Sequence, residues 1–283
     1  MILSRNWSFL ALVGGLLGAP IAPVSAQAAD TVDQYGGRDM IVHVPAHLPA
    51  SGSRALVVVL HGGMGNADRI ANRQSESGLN LDAEADRDGF LVVYLNGTPV
   101  ARLLGARALG WNAGGGCCGQ PAQNGTDDVA YIGGAVGYLA GKYGIDRTHV
   151  FGIGHSNGAM MTQRILCETS LYAAGVAISG PLNLPVTHCP GAKGKRILAI
   201  HGADDQNVPI AGGRGTKGLA QVAWSSEARA QQVMTRSGAS YELQIVPGAD
   251  HMLDHLSAAI GKSEGVTIAR KTAVFFGLAG KKG

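Results

Sequence analysis

The stretch HVFGIGHSNGAMM (residues 149–161) is an apolar run that ends in Gly154-His155-Ser156-Asn157-Gly158 and passes directly into a helix-like segment. A turn that sharp brings helix and strand into close approach, which only small neighbours allow, and glycines stand at 154 and 158. Working outward, short β-branched runs at 55–60, 90–95, 175–179, 196–201 and 241–246 join 149–154 as predicted strands. Most are apolar throughout, as strands covered on both faces should be. Helix-like patterns at 79–88, 127–143, 157–168, 220–237 and 266–278 alternate with them, and a further strand near 40–44 is expected at an antiparallel edge. This alternation predicts an α/β fold with a mostly parallel central sheet flanked by helices. Glycine-rich segments HGGMGNAD, WNAGGGCCG and AGGRGTKG each follow a strand end, where open α/β sheets place their ligands.

The chain has 283 residues, 46% hydrophobic and 15% charged, with no internal repeat or linker, so one core is expected. Arg5 precedes an apolar run from Trp7 to Val24, and Val24-Ser25-Ala26 offers a small-residue cleavage site. Residues 1–26 therefore read as a signal peptide and 27–283 as a single catalytic domain. Gly14, Gly15, Gly18, Pro20 and Pro23 interrupt the run and argue against a retained anchor, and no later segment is apolar enough to span a bilayer. The destination implied is extracellular or periplasmic. A net charge of +3 from scattered Lys and Arg argues against a nucleic-acid partner. Four cysteines in an exported chain predict two disulfides, Cys117–Cys118 and Cys167–Cys189. Their spacing does not suit zinc.

A serine hydroxyl attacks only when a base removes its proton and the turn exposes it. Gly154-x-Ser156-x-Gly158, with a strand before it and a helix after it, makes Ser156 the candidate nucleophile. In this chain order an acid follows the serine and a histidine comes last. His251, on the loop after the strand at 241–246, is the expected base, and His255 lies one helical turn beyond. The acid should leave the strand RILAIHG, where Asp204 and Asp205 both qualify. An oxyanion hole needs two backbone N–H groups, one from Asn157 and one from Gly63 or Met64 in the HGGMG loop. His251-Met-Leu-Asp254-His255 is a distorted version of a metal-binding H-x-x-E-H pattern. With no further ligand cluster, no metal or organic cofactor is expected.

LHGGMGNA, GWNAGGGCCG, DDVAYIGG, GIGHSNGAMM, HGADDQNVP and PGADH occur here in one order across most of the chain. Together they resemble the secreted α/β-hydrolase esterases grouped as polyhydroxybutyrate depolymerases, feruloyl esterases and acetyl-xylan esterases. The resemblance implies Asp205 rather than Asp204 as the acid, with Ser156 and His251 as its partners. It implies that GWNAGGGCCG lies beside the site, so that Trp111 offers an aromatic wall to the substrate; the other reading of Trp111 is a core side chain anchoring a long loop. His155, next to Ser156, is a further candidate substrate contact. Asp127 or Asp128 is expected to cap the next helix. Relatives often carry an aromatic residue or proline after the last histidine, where this chain has Met252-Leu253. The implied substrate is an ester of polyhydroxyalkanoate type, as polyester or oligomer. The alternatives are a plant polysaccharide ester and, in a different class, a non-catalytic binding protein that keeps the fold. The sequence implies no oligomeric state.

Overall fold

The computed structural model describes residues 27–101, 107–218, 220 and 222–279. The expected signal peptide lies outside these residues. Eight strands form one sheet: β1 (Ala29–Tyr35), β2 (Arg38–Val44), β3 (Arg54–Leu60), β4 (Leu91–Leu95), β5 (Ile145–His155), β6 (Ala174–Ile178), β7 (Arg196–Gly202) and β8 (Ser240–Val246). Their spatial order is β1-β2-β4-β3-β5-β6-β7-β8. β1 and β2 run antiparallel to their neighbours, and every other pairing is parallel. Two small antiparallel pairs lie outside this sheet, Thr98–Pro99 with Leu109–Gly110 and Gly213–Arg214 with Ala223–Trp224.

Eight helices accompany the strands among the described residues: α1 (Ala67–Ala71), α2 (Asp82–Asp88), α3 (Gly119–Gln123), α4 (Asp128–Tyr143), α5 (Asn157–Glu168), α6 (Glu227–Arg236), α7 (Leu253–Glu264) and α8 (Ile268–Phe276). Side chains alternate across a strand, so β3 feeds two cores. Leu56, Val58 and Leu60 pack with Ile132 of α4, Met161 of α5 and Met234 of α6. Val57 and Val59 pack with Ile70 of α1, Ala85 of α2, Leu256 of α7 and Phe276 of α8. Both faces are thus covered, which is why the parallel strands read as unbroken apolar runs. No described helix is long and apolar enough to cross a membrane.

Three expectations change. The strand at 40–44 lies inside the sheet, because β1 pairs along its outer side. β1 was hidden by its polar, mostly exposed sequence ADTVDQY. The helix expected from 220 begins at Glu227. Before it, Ala223–Trp224 pairs as a strand, Trp224 Nε1 donates to the Asn207 carbonyl oxygen at 2.9 Å, and Ser226 caps the helix by accepting from Arg229 N–H. The helix expected from 79 begins at Asp82, since Leu81 N–H is taken by the Tyr94 hydroxyl. Asp127 does cap α4, accepting from Ala130 N–H. Asp128 instead is buried, bonding Arg38 at 2.6 Å and Asn112 N–H at 2.7 Å.

Candidate active site

Ser156 stands between β5 and α5 with φ 55° and ψ −120°, a left-handed conformation that β-carbon-bearing residues hold only under constraint. The constraint is visible around it. Ser156 N–H donates to the Ile178 carbonyl oxygen at 2.8 Å, and its own carbonyl accepts from Met160 N–H at 3.0 Å. A Cβ at Gly154 would collide with the Gly158 carbonyl oxygen, and one at Gly158 with those of Leu60 and His61. The two glycines therefore serve the close approach of helix and strand.

His251 lies on the loop between β8 and α7. Asp204 N–H ties that loop to β7 by donating to the Ala249 carbonyl oxygen at 3.0 Å. His251 Nε2 lies 2.9 Å from Ser156 Oγ and Nδ1 lies 2.7 Å from Asp205 Oδ2. Nδ1 faces a carboxylate and so carries the ring proton, leaving Nε2 to accept from the serine hydroxyl. Asp205 Oδ1 accepts from Asn207 N–H and Val208 N–H, each at 2.8 Å. Burial alone would raise the Asp205 carboxyl; its bonds to His201 and His251 outweigh this and hold it well below the usual carboxylate range. Asp204 is exposed. His255, the other candidate ring, pairs with Asp250 at 2.9 Å on the surface.

The oxyanion candidates separate. Asn157 N–H opens α5 and Gly63 N–H opens the turn after β3; neither has an acceptor among the described residues. Met64 is corrected: its N–H donates to the Leu109 carbonyl oxygen at 2.7 Å, because the chain returns alongside the HGGMG loop there. Of the two readings of Trp111, the burial supports the core residue and not the substrate wall. Trp111 is fully buried, Nε1 donates to the His61 carbonyl oxygen at 2.9 Å, and its ring lies 5.0 Å from that of His61. His155 is corrected as well. Its buried ring donates from Nε2 to the His251 carbonyl oxygen at 2.9 Å, where it braces the loop of the base.

Three contributors escaped the sequence reading. The Asn157 side chain accepts from Trp111 N–H at 2.7 Å and donates to the Trp111 carbonyl oxygen at 3.0 Å and to Cys117 Sγ at 3.4 Å, fastening the Trp111–Cys118 loop to α5. His61 Nδ1 donates to the Gly62 carbonyl oxygen at 2.8 Å while Nε2 accepts from Gly97 N–H at 3.1 Å, which shapes the HGG turn. His201, at the end of β7, approaches Asp205 from behind, at 3.2 Å. Each sits in a segment already marked by motif, but its partners come from distant elements. Cys117 is bonded to Cys118 and Cys167 to Cys189, the pairing expected.

The sequence profile of the phospholipase/carboxylesterase family matches residues 131–256, the segment that holds Ser156, Asp205 and His251. NocK of Nocardia uniformis subsp. tsuyamanensis, a protein named as an esterase, is 31% identical over 198 residues, 68% of this chain and 52% of that protein. Feruloyl esterase B of Talaromyces stipitatus is 28% identical over 185 residues, 65% of this chain and 46% of that enzyme. The chain spans about half the length of these curated relatives. Among solved structures, the acetyl xylan esterase from Aspergillus awamori superposes with a TM-score of 0.59 at 16% identity, covering 90% of this chain and 100% of that one. Sheet order, flanking helices and the solved neighbour give the chain the α/β-hydrolase fold, and residues 131–256 are similar to the phospholipase/carboxylesterase family.

Proposed function

We propose that the protein is a serine hydrolase of carboxylic esters. The observation that carries this reading is the continuous hydrogen-bonded line from Ser156 Oγ through His251 to Asp205, at 2.9 and 2.7 Å. His251 Nε2 takes the serine proton as Oγ attacks the ester carbonyl, and Asp205 stabilises the imidazolium that forms without accepting its proton. The N–H groups of Asn157 and Gly63 receive the oxyanion, and the N-terminal end of α5 favours the developing charge. His251 then protonates the leaving alcohol. Water activated by the same ring releases the acid from the acyl-enzyme.

For the acyl group two readings stand. The motif resemblance supports a polyhydroxyalkanoate-type polyester or its oligomers. The names of the feruloyl and acetyl xylan esterase relatives favour an ester carried on plant polysaccharide. Export through residues 1–26 belongs to the same proposal, and two disulfides suit an oxidising compartment. The test is hydrolysis of a chromogenic short-chain ester, followed by a panel of feruloylated, acetylated-xylan and hydroxybutyrate-oligomer substrates. Ser156→Ala should abolish turnover with the fold intact. Retained activity in that variant, or failure of the wild type to react with a serine-directed organophosphonate, would return the protein to the class of non-catalytic binders.

A further inference from the structure

Behind the acid of the proposed triad lies a second, fully buried histidine that the mechanism above does not use. His201 Nδ1 is 2.8 Å from Glu227 Oε1, and Nε2 is 2.8 Å from the Val208 carbonyl oxygen and 3.2 Å from Asp205 Oδ2. A carbonyl and a carboxylate only accept, so Nε2 bears a proton. Nδ1 faces a second carboxylate, Glu227, whose other oxygen accepts from the Tyr241 hydroxyl at 2.8 Å. An ionised Glu227 thus requires a proton on Nδ1 too, and both carboxylates are buried with no other cation in hydrogen-bond contact among the described residues. A buried pair of carboxylates without a counter-charge is far costlier than one that shares an imidazolium.

We infer that His201 is a standing imidazolium that positions Asp205 and draws its charge away from His251, keeping the catalytic ring free to act as base at lower pH. The inference rests on the serine-hydrolase reading. Both rings face the same oxygen, Oδ2, His251 at 2.7 Å and His201 at 3.2 Å, so the positive charge acts on His251 through a single atom. The groups that face this cluster are Asp205 on the loop after β7, Glu227 on α6, Tyr241 on β8, Gln163 on α5, His251 on the loop after β8 and His155 at the end of β5. Burial pushes the His201 ring toward neutrality, but its bonds to Asp205 and Glu227 reverse this and raise it to about 9. His155 is held neutral by burial and by His251, with a value of about 3, so it adds no competing charge. The arrangement that competes with ours puts the proton on Glu227 and leaves His201 neutral.

Two measurements decide. In wild-type protein with 15N-labelled histidine rings, His201, assigned by the signal lost in His201→Gln, should show two protonated nitrogens throughout about pH 6 to 8. A single-proton tautomer there overturns the inference. The second is the pH profile of kcat/KM on a chromogenic short-chain ester, for wild type and for His201→Gln/Glu227→Gln, which leaves no lone buried carboxylate. The acid limb should move upward by roughly one pH unit, a displacement that simple loss of packing would not produce. An unmoved limb in an active variant overturns the inference, while a wild type with no ester hydrolysis overturns the parent reading instead. If the paired variant does not fold, the nitrogen spectrum of the wild type decides by itself.

Discussion

His155 Nε2 donates to the main-chain carbonyl oxygen of His251 across 2.9 Å, so the residue before the proposed nucleophile braces the loop that carries the proposed base. The two rings lie 5.1 Å apart, tilted by 44°. A side chain from the elbow thereby sets the distance between Ser156 and His251, two residues 95 positions apart in the chain.

Removing that brace should loosen the catalytic line without removing any member of it. His155→Ala is expected to lower kcat by about ten- to a hundredfold, since sub-ångström misplacement of a base costs about that much. KM on a short ester should change far less, and steady-state kinetics on both variants separates the two. His155→Gln, which can still donate to the His251 carbonyl, should recover part of the loss.

The buried neutral histidines make the fold acid-sensitive. Burial lowers His61 to about 4 and, together with the neighbouring His251, lowers His155 to about 3, against 6.5 for an ordinary ring. Below pH 6.5 the unfolded chain takes up protons that the folded chain refuses, so unfolding gains on folding as the pH falls. The stability these rings contribute is whole above 6.5 and is lost progressively toward 3. Thermal melting across this range should show a falling midpoint, and His155→Gln should flatten the slope. A midpoint indifferent to pH would contradict the assignment of both rings as neutral.

Asp205 accepts from two backbone N–H groups at Oδ1 and from His251 at Oδ2, with the His201 ring 3.2 Å from Oδ2. An amide can satisfy only one side, so Asp205→Asn must turn an NH2 toward either the backbone N–H pair or the two rings. The expected loss in kcat is about 10³–10⁴-fold, measured beside Asp204→Asn, which should stay near wild type.

Asn157→Ala keeps its backbone N–H but releases the Trp111–Cys118 loop from α5. Buried partners left unpaired cost about 1–3 kcal/mol in stability, readable by denaturant titration. Activity should fall yet stay above that of Ser156→Ala, because the oxyanion donor survives.

The Cys167–Cys189 bridge closes a separation of 22 residues. Replacing both cysteines by alanine should cost about 3 kcal/mol by loop-closure entropy. Equilibrium unfolding in guanidinium chloride would show this as a lower midpoint.

Much of this architecture is legible in the sequence for a local reason. β3, RALVVVL, is buried along six of its seven residues, and burial on both faces leaves one signature, an unbroken apolar run. The elbow is legible because Gly154 and Gly158 are demanded by contacts within one strand, one helix and the adjoining β3. β1 lacked such a signature: its residues are mostly exposed, and its strand identity depends on pairing with β2.

By itself, then, the sequence determined the alternation of strands and helices, the strained serine turn and the residue types needed for nucleophile, base and acid, because periodicity and glycine chemistry act over a few neighbours. Only the tertiary structure decided that Trp111 is core, that Met64 N–H is spent on Leu109, that His155 supports His251, and that His201 stands between two carboxylates. A hydrogen bond or a buried charge is defined by what arrives from elsewhere in the chain, and sequence spacing carries no record of that arrival.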